Sequence, residues 1–275
     1  MMNGRRWRFR SVENIIDDIR SAAKEFDRFS IIDDTFTQNI SRAKRFCAEY
    51  IKSGIDLTWE LPCGIRADKL DEELTDLMKR AGCTRVALGI ETFDARVFDS
   101  LNKREKISDI LNAIRLLIKY EIHITALLII GLPGSTYKTD KLTIETVRDF
   151  GMGSIVSIFA PYPGTAAANS VSSGAELELV EDIEAVAPSP NNQPRVFVSS
   201  RAYNHQEVEK MYYYAHLRLG KYGTLLEPRA TAVEKAIKLA RLIVKYDRSH
   251  VFGHLGYMIK KLTKIWKTSF SSYFA

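Results

Sequence analysis

The side chains of this chain that could do chemistry stand in short polar clusters, each placed where an apolar run ends. Asp33 and Asp34 offer two adjacent carboxylates. Arg66 and Asp68 follow the next apolar run, Glu91 and Thr92 the one after, and then Gly131-Leu132-Pro133-Gly134 and Pro161-Tyr162-Pro163-Gly164-Thr165. The ends of apolar runs are where α/β folds place their ligands. Arg66 can pair with a carboxylate, either a ligand's or a neighbour's in a structural salt bridge. Glu91, at the end of Val86–Ile90, needs a partner if it is buried. Glycine lets main chain approach a flat ring and proline fixes a turn, so Gly131–Gly134 suits a ring-bordering loop or simply a tight connection. Asp33 and Asp34 equally suit a strand-end turn or helix cap, and Tyr162 a ligand wall or a cap over the sheet.

The elements that must position these groups follow a repeating phrase. Helical spacing of apolar residues predicts a helix over 12–26 with Ser11 as N-cap, then a buried strand over 29–36 and a helix over 39–53 closed by Gly54. The phrase continues as strand 56–66, helix 70–81, strand 84–91, helix 107–120, strand 123–132, helix 138–150 and strand 154–161. Strand starts recur at the length of one βα unit, and the strands are nearly continuous apolar runs, which implies a parallel sheet covered on both faces. Right-handed crossovers curl such a sheet toward a barrel. Five strands preceded by a helix make a partial, TIM-like (β/α) barrel without its first strand. After Thr165 the pattern breaks: 167–198 reads as irregular with a short helix at 175–185, and 206–219, 230–246 and 254–266 read as three C-terminal helices. The expected division is residues 1–166 as partial barrel and 167–275 as an irregular linker with a helical tail.

Composition narrows the class. The 275 residues, 45% apolar and 27% charged, suit a globular protein of one large domain or one plus an appendage. No apolar run approaches a membrane span, and no apolar stretch follows the arginine-rich start, so no signal peptide is read and the expected address is the cytoplasm. The net charge of +6 gathers partly in Arg5–Arg10 and Lys260–Lys267, locally basic surfaces without a nucleic-acid recognition motif, so no nucleic-acid partner is expected. Cys47, Cys63 and Cys83 lie far apart in sequence, so neither a zinc ribbon nor a contiguous iron–sulfur loop can be written. Cys47 is expected to be buried on its helix, and Cys63 to face a ligand space at a strand end.

Taken in order, Gly4–Ser11, the Asp33-Asp34 strand, Gly64-Ile65-Arg66-Ala67-Asp68, Ala87-Leu88-Gly89-Ile90-Glu91-Thr92, Gly131–Gly134 and Pro161–Thr165 resemble the radical S-adenosylmethionine (SAM) superfamily, in the branch often joined to a cobalamin-binding domain. The resemblance covers about residues 4 to 165. It implies a SAM cofactor chelated to the open iron of a 4Fe–4S cluster, whose electron cleaves the sulfonium to a 5′-deoxyadenosyl radical. It implies methylation, rearrangement or carbon–sulfur chemistry on a small-molecule substrate, with cobalamin held by a further N-terminal domain. One of Asp33 and Asp34 would face the methionine amine or the substrate, and Arg66 the cofactor carboxylate. Glu91 and Thr92 would reach the ribose or amine, Gly131, Leu132 and Pro133 would border the adenine, and Tyr162 would line the adenine or substrate space. Ser135 replaces the glutamate usual after this turn.

The CxxxCxxC loop that holds the cluster in the family is absent from the sequence. The resemblance places that loop and the first strand immediately before Met1, so the isolated chain is expected to be inactive and to form no cluster. The competing reading is a non-catalytic scaffold, or a split half needing a partner that carries the loop. Coding sequence upstream separates the two. A phosphate-binding barrel is weaker, because no glycine-rich helix start follows the late strands. His250 and His254, four apart, lack the glutamate of a zinc-protease helix and are expected on the surface. The 254–266 helix is amphipathic and basic, which suits docking onto the barrel or a weak contact with an anionic membrane.

Overall fold

The first four helices each start at a side chain that accepts from a free backbone amide. Ser11 caps α1 (Val12–Ala22), Asn39 caps α2 (Ile40–Lys52), Asp71 caps α3 (Glu72–Arg80) and Asp94 caps α4 (Ala95–Ser100), each accepting from the amide three residues on. Then come α5 (Ile107–Lys119) and α6 (Tyr137–Asp149). The strands between them are β1 (Arg28–Ser30), β2 (Thr58–Ile65), β3 (Cys83–Glu91), β4 (His123–Ile130) and β5 (Gly153–Ile158). They form one sheet in the order β1-β2-β3-β4-β5, with β1–β2, β2–β3 and β3–β4 all parallel. This is the expected (β/α) partial-barrel arrangement. The computed structural model describes residues 8–165, 168, 177–179, 194–226 and 230–256.

The chain folds as two compact units, Met1–Leu128 with Asp149–Ile155, and Ile129–Arg148 with Val156–Ala275. In the first unit, Phe29, Phe36, Phe46, Tyr50 and Trp59 pack as an aromatic cluster with neighbouring centroids 5.7 to 6.3 Å apart. Trp59, 1% exposed, donates its indole N–H to the Ala81 carbonyl at 2.6 Å and so ties β2 to the end of α3. Gly153 lets β5 lie close to β4, since a Cβ there would sit 3.3 Å from the Ile124 carbonyl.

The second unit adds α7 (His205–Arg218) and α8 (Ala232–Tyr246). Asn204 and Thr231 open them with capping boxes. Leu217, Tyr222, Leu225, Leu239 and Ile243 form their shared core. Arg218 makes a two-pronged pair with Glu145 at 2.8 and 2.7 Å.

Several sequence expectations are corrected. The strand expected over 29–36 ends at Ser30: the Asp33 carboxylate accepts from the Thr35 amide at 2.8 Å, a side-chain turn that stops the strand and leaves Ile32 74% exposed. The first helix ends at Ala22, not Phe26, because Ala22 O takes the amides of Glu25 and Phe26 in a tight turn. Leu177–Leu179 lies in β6, paired antiparallel with β7 (Val198–Ser200), instead of in a helix. His254 is buried at 4%, its Nε2 2.7 Å from the Asp247 carboxylate and its Nδ1 2.8 Å from the Tyr222 hydroxyl. His250 is partly covered, its Nδ1 2.6 Å from the same carboxylate. The expected surface pair is thus the flank of a buried acid. Helical backbone covers 251–256, and the rest of the helix expected over 254–266 lies outside the described residues.

Candidate functional site

In the first unit the polar groups meet where β2 and β3 end. β2 is irregular in register between Leu61 and Ile65, with Gly64 at φ +107°, and delivers Arg66 just past its end. The guanidinium donates to Asp68 at 2.8 Å and to the carbonyls of Lys103 and Arg104 at 3.4 and 3.2 Å. Burial alone would raise the Asp68 carboxyl, but hydrogen bonds from Arg66 and Lys69, with their charges, hold it below the usual carboxylate range. Arg66 therefore pairs with its neighbour and clasps the loop after α4.

β3 ends in a register shift between Gly89 and Glu91, and Glu91 has φ +59°, a left-handed conformation costly for a residue with a side chain. The irregularity re-aims the carboxylate, as bulges beside sites commonly do. Lys103 meets it: Nζ lies 3.0 Å from Glu91 Oε1, 2.7 Å from the Gly89 carbonyl and 3.7 Å from Glu105 Oε2. Glu105 Oε1 in turn accepts from the Ala67 amide at 2.8 Å. A Cβ on Gly89 would stand 3.0 Å from both Glu91 Oε1 and Lys103 Nζ, so both side-chain ends would have to shift. Thr92, 1% exposed, caps inward and accepts from the Asp94 amide at 3.1 Å. One network thus joins Arg66, Asp68, Glu91, Lys103 and Glu105. Asp33 and Asp34 lie past the end of β1, where the Asp33 carboxylate accepts from the Thr35 amide and the Asp34 carbonyl from the Thr35 hydroxyl.

Lys103 and Glu105 were not singled out by sequence. They sit in Asn102-Lys103-Arg104-Glu105-Lys106, a charge-dense stretch that reads as solvated loop. Asn102 and Arg104 both adopt positive φ (53° and 56°), which folds the stretch back onto Arg66 and Glu91.

In the second unit the turn after β4 is pinned from behind. The Gly131 amide donates to Asp140 Oδ2 at 2.8 Å, and Asp140 is 1% exposed. Gly131 and Gly134 take φ +74° and +79°, and the Ser135 amide closes the turn on Leu132 O at 2.9 Å. A Cβ on Gly131 would meet Val208 at 3.3 Å, whereas one on Gly134 would enter open space. The Ser135 hydroxyl is buried with no hydrogen-bond partner among the described residues. Burial, reinforced by the Asp140 carboxylate, pushes the Tyr203 phenol far up. Tyr162 is 58% exposed, and its carbonyl accepts from Thr165.

The three cysteines form no metal-holding group among the described residues, although Cys47 lies near enough to Cys83 to disfavour its thiolate. Cys47 and Cys83 are buried in the first unit and Cys63 is exposed on β2. Burial pushes the Cys47 thiol up to about 12 and the Cys83 thiol higher, whereas an iron ligand must be a thiolate. Among the described residues no group of three His, Cys, Asp or Glu side chains could hold a metal ion, and no helix is long and apolar enough to cross a membrane.

The chain is similar to an uncharacterised methyltransferase of Pyrococcus horikoshii, 29% identical over 59% of this chain and 36% of that protein. It is also 29% identical to the cytidylyl-2-hydroxyethylphosphonate methyltransferase of Streptomyces wedmorensis, over 58% of this chain and 31% of the other. With the anaerobic magnesium-protoporphyrin IX monomethyl ester cyclase of Rubrivivax gelatinosus it shares 30% identity over 53% and 27%. The chain therefore spans about a third of the length of the curated relatives it matches. Its fold superposes on the radical S-adenosylmethionine methyltransferase TsrM of Kitasatospora setae, solved with cobalamin and a [4Fe-4S] cluster bound. That match has a TM-score of 0.59 at 15% identity, covering 93% of this chain and 56% of the other. Residues 2–147 match the sequence profile of the Radical SAM superfamily, and by that match, over half its length, the chain belongs to the superfamily.

Proposed function

We propose that this chain supplies the SAM-binding walls of a radical SAM enzyme of the cobalamin-dependent methyltransferase branch, acting on an unreactive carbon of a small molecule. On this reading residues 1–166 are the barrel portion and 167–275 the C-terminal region. The observation that carries it is the turn after β4: positive-φ glycines with open space at Gly134, beside a buried Ser135 hydroxyl that lacks a partner among the described residues. A nucleoside edge would satisfy that hydroxyl. When bound, SAM supplies a transferable methyl or a reducible carbon–sulfur bond. In this reading Gly131, Leu132 and Pro133 border the adenine, Glu91 and Thr92 receive ribose or amine groups, and Arg66 orders the loop that brings Lys103 to Glu91. By resemblance alone, Asp33 or Asp34 is assigned to the amine or substrate and Tyr162 to the adenine or substrate space.

The cluster does not fit this chain's own thiols, two of which burial holds protonated. The cysteines that hold it are proposed to come from a segment or chain outside this sequence, as is the domain that would carry cobalamin. Isothermal titration with S-adenosylhomocysteine tests the reading without requiring a cluster. Binding is expected, weakened by about ten-fold in Glu91→Gln through loss of a charge-assisted hydrogen bond, and removed in Gly134→Val, with circular dichroism confirming both folds. No binding by the wild-type chain would favour the non-catalytic scaffold instead.

A further inference from the structure

The second unit carries a surface that the proposed chemistry does not use. Helix α8 has two apolar faces. Leu239 and Ile243 are buried against α7 and the turn holding Tyr222 and Leu225. The second face, Val233, Ile237, Ala240 and Val244, follows the i, i+4, i+7, i+11 spacing of one helical stripe. It is open to solvent, with Val233 68%, Ile237 48% and Val244 58% exposed. Phe252 and Leu255 add 89% and 43% exposed side chains just beyond. Single exposed apolar residues need no explanation, but a stripe on one helix does.

Alongside the stripe runs a basic one: Lys238, Arg241 and Lys245. The acid on this side of α8, Glu234, is held at the helix start by its capping box with Thr231. A cavity of about 410 Å³ opens beside Ile237, lined by aliphatic Leu226 and Ala230 and by the cations Lys235, Lys238 and Arg241 against the one acid Glu234. Residues 232–275 hold nine Lys and Arg against two acids, an excess of seven in a chain whose net charge is +6. One of those acids, Asp247, is buried between histidines. Residues 1–231 sum to −1, so the chain's net positive charge comes from this stretch of sequence.

We infer that α8 forms a docking face for an anionic lipid surface, with the aliphatic stripe entering the headgroup boundary and Lys238, Arg241 and Lys245 meeting lipid phosphates. Charge and stripe together select this occupant. A nucleic acid uses the cations but has no use for an aliphatic stripe. A second copy would bring the same lysines face to face, and this chain's own tail, with Lys260, Lys261, Lys264 and Lys267, would do likewise.

The test is vesicle flotation of the full chain with phosphatidylcholine alone and with phosphatidylcholine containing phosphatidylglycerol. Binding is expected only with the anionic vesicles, and reduced at high salt. Replacing Lys238, Arg241 and Lys245 by Gln should lower the partition constant by about a hundred-fold, at the usual contribution of each cation near an anionic surface. Replacing Val233, Ile237 and Val244 by Ser should lower it by about ten-fold or more, while circular dichroism and the melting temperature stay at wild-type values. Four outcomes overturn the inference: no partition of the wild type, equal partition onto neutral vesicles, tight binding to duplex DNA unaffected by the Ser variant, or a solution dimer that the Ser variant dissolves. Loss of SAM binding bears only on the proposed function and leaves this test intact.

Discussion

Replacing Lys103 by Met removes the cation that two carboxylates share. Lys103 lies 3.0 Å from Glu91 and 3.7 Å from Glu105, with side chains 25%, 18% and 5% exposed. A fully buried pair broken at one partner costs about 3–5 kcal/mol and an exposed pair about 0–1. The partial exposure puts Lys103→Met at about 2 kcal/mol. Glu91→Gln should cost less, about 1 kcal/mol, because Lys103 keeps the Gly89 carbonyl at 2.7 Å and Glu105. The double variant should show a coupling of about 1 kcal/mol. Urea unfolding reads it, followed by Trp59 fluorescence with Trp7 and Trp266 replaced by Phe, so that the signal comes from the unit holding the pair. Strict additivity, or single-variant costs indistinguishable from zero, would refute the network.

Trp59→Phe removes a 2.6 Å indole hydrogen bond and strands the Ala81 carbonyl, for an expected loss of about 2–3 kcal/mol in urea unfolding followed by circular dichroism. Asp140→Ala leaves the Gly131 amide without its acceptor, so hydrogen exchange at Gly131 should accelerate by about ten-fold or more. Ellman's reagent should label one thiol, Cys63, in the native chain and all three in guanidinium, Cys47 and Cys83 being buried. Because burial raises the Cys47 thiol from its ordinary 9.0 to about 12, it stays protonated in the fold at pH values where the unfolded chain ionises. That contribution is complete below pH 9 and lost as pH rises toward 12, so stability should fall across this window, and less steeply in Cys47→Ala.

The repeating phrase was legible because each βα unit writes its own signals. The α2 sequence carries a cap at Asn39, apolar positions at Ala43, Phe46, Cys47 and Tyr50, and a glycine stop, and it folds as expected over Ile40–Lys52. The end of β1 was misjudged because Ile31 and Ile32 look like strand, whereas the Asp33 side chain competes for the backbone two residues on. The six-residue α4 was too short to show a period. His254 looked exposed because its partners, Asp247 and Tyr222, are seven and 32 positions away and meet only in the folded unit. Lys103 escaped notice for the same reason: nothing local tells a lysine in a charged loop that it will close over Glu91. The polar clusters at strand ends could be named from sequence, but the partners that fix their orientation could not.

This chain belongs to the Radical SAM superfamily, yet among the described residues its three thiols form no metal-holding group. Anaerobic reconstitution with iron and sulfide, followed by metal and sulfide analysis and electron paramagnetic resonance of the reduced sample, tests this most directly. The expected result is far less than one cluster per chain and no cluster signal, with binding of S-adenosylhomocysteine retained. One stoichiometric 4Fe–4S cluster per chain, lost when Cys47, Cys63 or Cys83 is replaced by Ala, would contradict it.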